Sequence, residues 1–238
     1  GKMPLPDGTN AEKEDPTPPL GWTSAEDLKD VKLYGFKASP PVAKIAVILK
    51  YYGVNFDFVK LSPGSGVTAK SSYKKIPVLT ASGRTVNDSY VISKHILQAC
   101  APGSFDPAVE EEITFGLQPA LEVECLKSGA ELKTYALAFG VIPSIVPSFL
   151  VGMMSPSASI RKKHPDLKPA LEYGKNFRAK IGTQPFAGGS EPACADLSYY
   201  GTIYTFIFAK CPTAVAHLKD ADLEDWYKRM QEKVPGDF

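Results

Sequence analysis

Between Val31 and Cys100 the chain switches back and forth between the two hydrophobic periods that a backbone offers, and that order constrains the fold more than any other feature. The stretch "VKLYGF" (31–36) reads as a short apolar strand. "PVAKIAVILKYYG" (41–53) follows as a helix with Val42, Ile45, Ala46 and Leu49 on one face and Gly53 as its C-terminal cap. In "VNFDFVKL" (54–61), Val54, Phe56 and Phe58 alternate as in a second strand. The polar "SPGSGVTAKSSYKK" (62–75) is a loop with room for a helical turn. "IPVLTASGRTV" (76–86) is a hairpin turning at Ser82-Gly83, and "DSYVISKHILQAC" (88–100) is a helix ending before Pro102-Gly103.

This order, βαβ then a hairpin and a helix, builds a small four-stranded mixed sheet with helices. From about residue 106 no convincing strand remains. Helical periods in "EEEITFGLQPALEVECLKS", "DLKPALEYGKNFRAKIG" and "ADLSYYGTIYTFIFAK" are separated by Pro and Gly. The last of these is apolar at nearly every position and belongs in the centre of the helical core, where it could flank a hydrophobic ligand pocket. The chain is therefore expected to be α+β: a polar, Pro-rich extension over 1–29, a thioredoxin-like α/β domain over 30–101, and an all-helical domain over 106–234. An extension of that composition is ordinarily disordered, and a partner surface is the simplest agent that would order it.

Charge and cysteine usage narrow the function. A formal net charge of +1 gives no global field for nucleic acid or acidic partners, and the one basic cluster, Arg161-Lys162-Lys163-His164, is short. Cys100, Cys125, Cys194 and Cys211 lie far apart, without metal spacing or the framework of a secreted protein, and read as reduced, buried thiols in a reducing compartment. His95, His164 and His217 are scattered as well, so no metal site is read. The stretch 135–154, "YALAFGVIPSIVPSFLVGMM", carries no charge and approaches the length of a membrane span. Gly140, Pro143, Pro147 and Gly152 interrupt it, which leaves a buried helix pair, a face touching a membrane or membrane complex, and a true span as alternatives.

Taken in order, "KLYGFKASPP", "SYKKIPVL", "NDSYVI", "PFAGGSEPACADLSYYG" and "WYKRM" resemble the glutathione S-transferase superfamily, and more narrowly its prostaglandin E synthase 2 branch. The matches span roughly residues 31 to 230. The resemblance implies a cis bond at Ile76-Pro77, with the backbone of Ile76 turned out to pair with glutathione. It also implies that Asp88 and Ser89 open a helix whose N-terminus receives a glutathione carboxylate, although capping alone accounts for an aspartate there. Asp196 resembles the family's capping-box aspartate, but its partner position holds Ala193, which has no side-chain acceptor.

At the reactive turn the chain departs from the resemblance. The branch carries Cys-Pro-x-Cys where this sequence has Ser39-Pro40-Pro41-Val42. Pro40, preceding a proline, is expected outside the helix, with Pro41 as its first residue. A proline also lacks the N–H that would face a thiolate. Ser39 is the candidate catalytic residue, placed to hydrogen-bond the thiol of glutathione, and Tyr34 lies on the strand before it. Two readings result. In the first, the chain has lost catalysis and is a structural or assembly subunit of a larger membrane-associated complex, with other protein subunits as partners and no required cofactor. In the second, it is a glutathione-dependent isomerase or transferase acting on a hydrophobic substrate. The resemblance, with Gly1 where an initiator would stand, points to the mitochondrion or another organelle membrane surface. The branch is also associated with haem, for which no residue here makes a case.

Overall fold

A computed structural model describes residues 14–61, 73–234 and 236. Strand β1 (Lys32–Gly35) leads into helix α1 (Pro40–Tyr51) and parallel strand β2 (Asp57–Lys60). Strands β3 (Val78–Ala81) and β4 (Arg84–Asn87) form the antiparallel hairpin, giving the sheet order β2-β1-β3-β4. Ser82 (φ 51°) and Gly83 (φ 72°) both adopt positive φ, as a two-residue hairpin turn of the primed type requires. Gly53 (φ 67°) ends α1, with its N–H on Lys50 and that of Val54 on Leu49, a paired C-terminal cap. The loop expected at 62–75 lies outside the described residues up to Ser72.

The rest is helical: α2 (Ser89–Cys100), α3 (Pro107–Glu112), α4 (Gln118–Cys125), α5 (Gly129–Ala138), α6 (Ser148–Gly152), α7 (Ser157–Lys163), α8 (Ala170–Ile181), α9 (Cys194–Phe208), α10 (Pro212–Asp220) and α11 (Glu224–Lys233). A π-helical turn over Ile113–Leu117 joins α3 to α4 just before Pro119. Proline has no N–H for the i→i−4 ladder, and the wider turn absorbs that break without ending the helix. Helix α9 is central, as its composition demands: Tyr199 stacks on Phe177 at 4.2 Å, and Trp226 meets Phe177 edge-on at 4.9 Å. Asp196 is fully buried and accepts hydrogen bonds from the N–H groups of Ala187, Gly188 and Ala193 and from the Trp226 indole. Only its own half of the capping box can form, because Ala193 offers no acceptor.

The two domains meet where α1 crosses α9. A side chain at Gly201 would collide with the backbone of Lys44, so the helices touch there only because Gly201 has none. Lys44, fully buried, forms an ion pair with the fully buried Glu110 of α3 and donates to Thr114 Oγ1 at 2.8 Å. The other carboxylate oxygen of Glu110 accepts from Ser198 Oγ at 2.6 Å. A lysine in an apolar helix face carries no sign in the sequence of a buried partner so far along the chain.

The extension differs from expectation. From residue 14 it packs on its own domain rather than waiting for a partner. Leu20, Trp22 and Leu28 join the main core, and Trp22 meets the His95 ring edge-on at 6.4 Å. Asp15 pairs with Lys94 at 2.8 Å and with His95 at 3.0 Å, and Arg84 donates to the carbonyls of Pro18 and Pro19. Its prolines supply carbonyls and its few apolar residues supply anchors, so low average hydrophobicity does not leave it loose. The part over residues 1–13 lies outside the described residues.

Replacing Glu110 with Ala should strand the Lys44 ammonium in the core and cost roughly 3–5 kcal/mol, whereas Lys44→Met with Glu110→Leu should cost much less. Urea unfolding of the three proteins checks this: equal losses for the single and double variants would refute it.

Candidate functional site

Helix α1 starts at Pro40, one residue earlier than the pre-proline rule suggests. Ser39 takes the extended geometry (φ −96°, ψ 114°) demanded before a proline, and both prolines then sit in the first turn, where an N–H has no intrahelical partner to lose. Val42 is left as the one N–H donor of that turn, since Ala43 N–H already bonds Ser39 O at 2.9 Å. The helix presses close to β1: a Cβ on Gly35 would lie 2.5 Å from Val42 Cγ2. Ser39 is nearly buried, and its hydroxyl makes no bond to cap α1. The neighbouring Ala38 carbonyl accepts from the Tyr135 hydroxyl of α5, which ties the turn to the helical domain.

The Ile76-Pro77 peptide bond is cis and lies at the start of β3. Asp88 caps α2 at an unusual backbone conformation for a non-glycine residue (φ 72°, ψ 132°), with Oδ1 accepting from Tyr90 N–H at 2.9 Å. The capping role is thus real, and it is not the carboxylate's only contact. Its Oδ2 accepts from the Tyr73 hydroxyl at 3.4 Å, and burial together with that carboxylate drives the Tyr73 phenol upward in pKa. Ser89 is buried beside it, its carbonyl accepting from Ser93 Oγ at 2.7 Å. Tyr34, on the strand before the turn, forms a small apolar cluster with Leu61, Tyr73 and Val78, on the other sheet face from Leu33.

Sequence reading missed the helical wall of this region. Phe115 lies 6.1 Å from the Tyr90 ring, and Gln118 Nε2 donates to Glu122 Oε1 at 3.1 Å one turn on. Burial pushes the Glu122 carboxyl up to about 7, and that charge acts in turn on Tyr135, the residue bonded to Ala38. A Gln-x-x-x-Glu pair beside a helix-borne aromatic is too common to single out from sequence.

The four thiols are held away from the thiolate form. Burial raises all four: Cys194 and Cys211 to about 12, Cys125 strongly, and Cys100, half-buried, more modestly. His217 accepts from or donates to Tyr199 across 2.6 Å and is pressed down to about 4 by burial, so it is neutral at physiological pH. No group of three metal-ligating side chains occurs among the described residues. On the Tyr199 side of α9, the space lined by Val109, Ile113, Phe177 and Tyr199 amounts to about 30 Å³, room for a water.

A four-stranded thioredoxin-like sheet with a cis-proline, followed by an all-helical domain, is the glutathione-transferase fold, and comparison with known proteins agrees. Residues 33–104 match the profile of the glutathione S-transferase N-terminal domain. Glutathione S-transferase 4 of Zea mays is 28% identical over 193 residues, 79% of this chain and 82% of that protein. Glutathione S-transferase U4 of Arabidopsis thaliana is 34% identical over 82 residues, 31% of this chain and 35% of that protein. Among solved structures, a possible glutathione S-transferase from Rhodopseudomonas palustris aligns at a TM-score of 0.53 and 14% identity, over 87% of this chain and 89% of that one. The chain thus has a glutathione-transferase-like fold, with the sequence match to that family's N-terminal domain confined to residues 33–104.

Because the folded-state pKa of Glu122 is raised, the folded protein holds a proton that the unfolded chain has released between about pH 4.5 and 7. Stability from this group is therefore greatest below that window and falls as pH rises through it. Glu122→Gln should remove the fall, stabilising the protein at pH 8 by roughly 1–3 kcal/mol and hardly at pH 4. Thermal melts across that range would show parallel curves for the two proteins if the assignment is wrong.

Proposed function

We propose that this chain binds glutathione between the Ser39 turn and the head of α2, and uses it in a transferase- or isomerase-type reaction on a hydrophobic electrophile. The observation that carries the reading is the Ser39 hydroxyl, set at the start of α1 and uncommitted to capping its own helix. The maize and Arabidopsis relatives, whose names describe glutathione S-transferases, support it.

When bound, glutathione supplies the thiol that the turn lacks. The Ile76 N–H and C=O, at the cis bond, would pair with its peptide backbone, and Ser89 with the positive end of α2 would receive a carboxylate. Asp88 holds that helix start in shape from both sides, through Tyr90 N–H and Tyr73. Ser39 would donate its hydroxyl proton in a hydrogen bond to sulfur, keeping the thiolate form favoured. With Pro40 and Pro41 lacking N–H groups, only Val42 N–H and the α1 dipole assist it. A prostaglandin E synthase-type isomerase is one form of this chemistry.

A second reading has its own observation: the prolines strip donors from the turn, no protein thiol stands in it, and all four cysteines are shifted away from thiolate. On that reading the chain is a non-catalytic subunit of a membrane-associated assembly, in the mitochondrion or another organelle.

Calorimetric titration with glutathione separates the two. Saturable binding, weakened in Asp88→Ala, is expected. Ser39→Ala should bind glutathione nearly as well yet conjugate a nitrochlorobenzene electrophile about a hundredfold more slowly. No heat at millimolar glutathione would overturn the enzyme reading and leave the subunit reading standing.

A further inference from the structure

The uncharged stretch 135–154 does not become the buried helix pair that its composition allows, and no helix among the described residues is long and apolar enough to cross a membrane. It folds instead into α5, a loop and the short α6, with its apolar side chains turned outward. Gly129 and Gly152 bring the two helices together, since a Cβ on Gly129 would overlap the Ser148 carbonyl. Only Tyr135, Ala136 and Val151 of these elements are buried. Ile145 is 87% exposed, Phe149 70%, Met153 81% and Met154 73%, and Leu137, Val141 and Leu150 are exposed beside them. Single exposed apolar residues are ordinary, but seven within one segment make a patch.

The chain immediately beyond the patch points to its partner. After a short link (153–156), α7 carries Arg161, Lys162 and Lys163 in its last turn, all exposed, and none of them is paired with a carboxylate among the described residues. From Thr134 to Ile160 the sequence has no charged residue at all. Of the nearby acids, Glu131 is taken up by Thr213 and Ser128, and Asp166 lies beyond the basic run.

We propose that the α5–α6 segment and α7 form a docking surface for an anionic lipid bilayer, with Ile145, Phe149 and Met153 entering the acyl boundary and Arg161 to Lys163 lying on the headgroups. Apolar side chains and lysines or arginines act together at such a surface, the first gaining buried area and the second charge attraction. Self-association through the same face would bring two unneutralised basic runs to one interface, which an anionic surface avoids. Neither glutathione nor the Ser39 turn is needed for this contact. The face does share α5 with Tyr135, which bonds Ala38, so a docked protein would hold its candidate site near the lipid.

Vesicle flotation of the full chain tests it. Binding is expected to phosphatidylcholine vesicles containing phosphatidylserine, weakly or not at all to phosphatidylcholine alone, with release at high salt. The double variant Phe149→Ser, Met153→Ser and the triple variant Arg161→Glu, Lys162→Glu, Lys163→Glu should each lose at least about tenfold in partitioning while keeping the parent's circular dichroism and glutathione heat. Absence of flotation with the anionic vesicles would overturn the proposal. So would flotation that neither variant diminishes. A dimer in sedimentation that Phe149→Ser, Met153→Ser dissociates would assign the face to a second copy of the chain instead.

Discussion

The buried pair of Lys44 and Glu110 is the contact on which the two-domain arrangement turns. Each charge would be intolerable in the core alone, and each is acceptable because the other stands against it with Thr114 and Ser198 completing the bonds. The pair joins α1 to α3 and, through Ser198, to α9, and so fixes a rotation as well as a distance. Gly201 lets α9 approach closely enough for that geometry to be reached. Apolar packing alone would permit neighbouring registers of α1 on α9; matched polar groups with directional bonds favour one.

The candidate site inherits its placement from that arrangement. Its parts are element starts rather than helix middles: the first turn of α1, the first turn of α2 and the cis-proline edge of β3. Such ends present unpaired backbone groups, and α5 approaches them from the helical domain through Tyr135. The chemistry in reach is hydrogen bonding and charge stabilisation around an incoming nucleophile, since the turn supplies no sulfur of its own.

Local chemistry made much of this legible in the sequence. Ser82-Gly83 named its turn, Gly53 its cap, and the aromatic run of α9 its central place, because each depends on residues within a few positions, whereas the cis bond at Ile76-Pro77 was implied by the resemblance alone. The exceptions are long-range. Lys44 meets its partner from far away in sequence, and Glu122 owes its altered acidity to burial contributed by other helices. Pro40 entered the helix because a first turn forgives what a helix interior does not. Tyr34 followed strand alternation onto the sheet face that Tyr73 covers. For the apolar 135–154 stretch the sequence left several arrangements open: composition records hydrophobicity, but the close approach of Gly129 and Gly152 leaves most of its large side chains outside.

The opening segment has a practical side. Leu20, Trp22 and Leu28 sit as a third layer on α2, held by Asp15 and by Arg84 from the hairpin. A chain begun at Val31, where the first strand suggests a domain edge, would keep every strand and helix of the sheet domain yet uncover the apolar seat of that layer. Its handicap would be colloidal before it was conformational: a newly adhesive face, inviting aggregation of an otherwise folded protein.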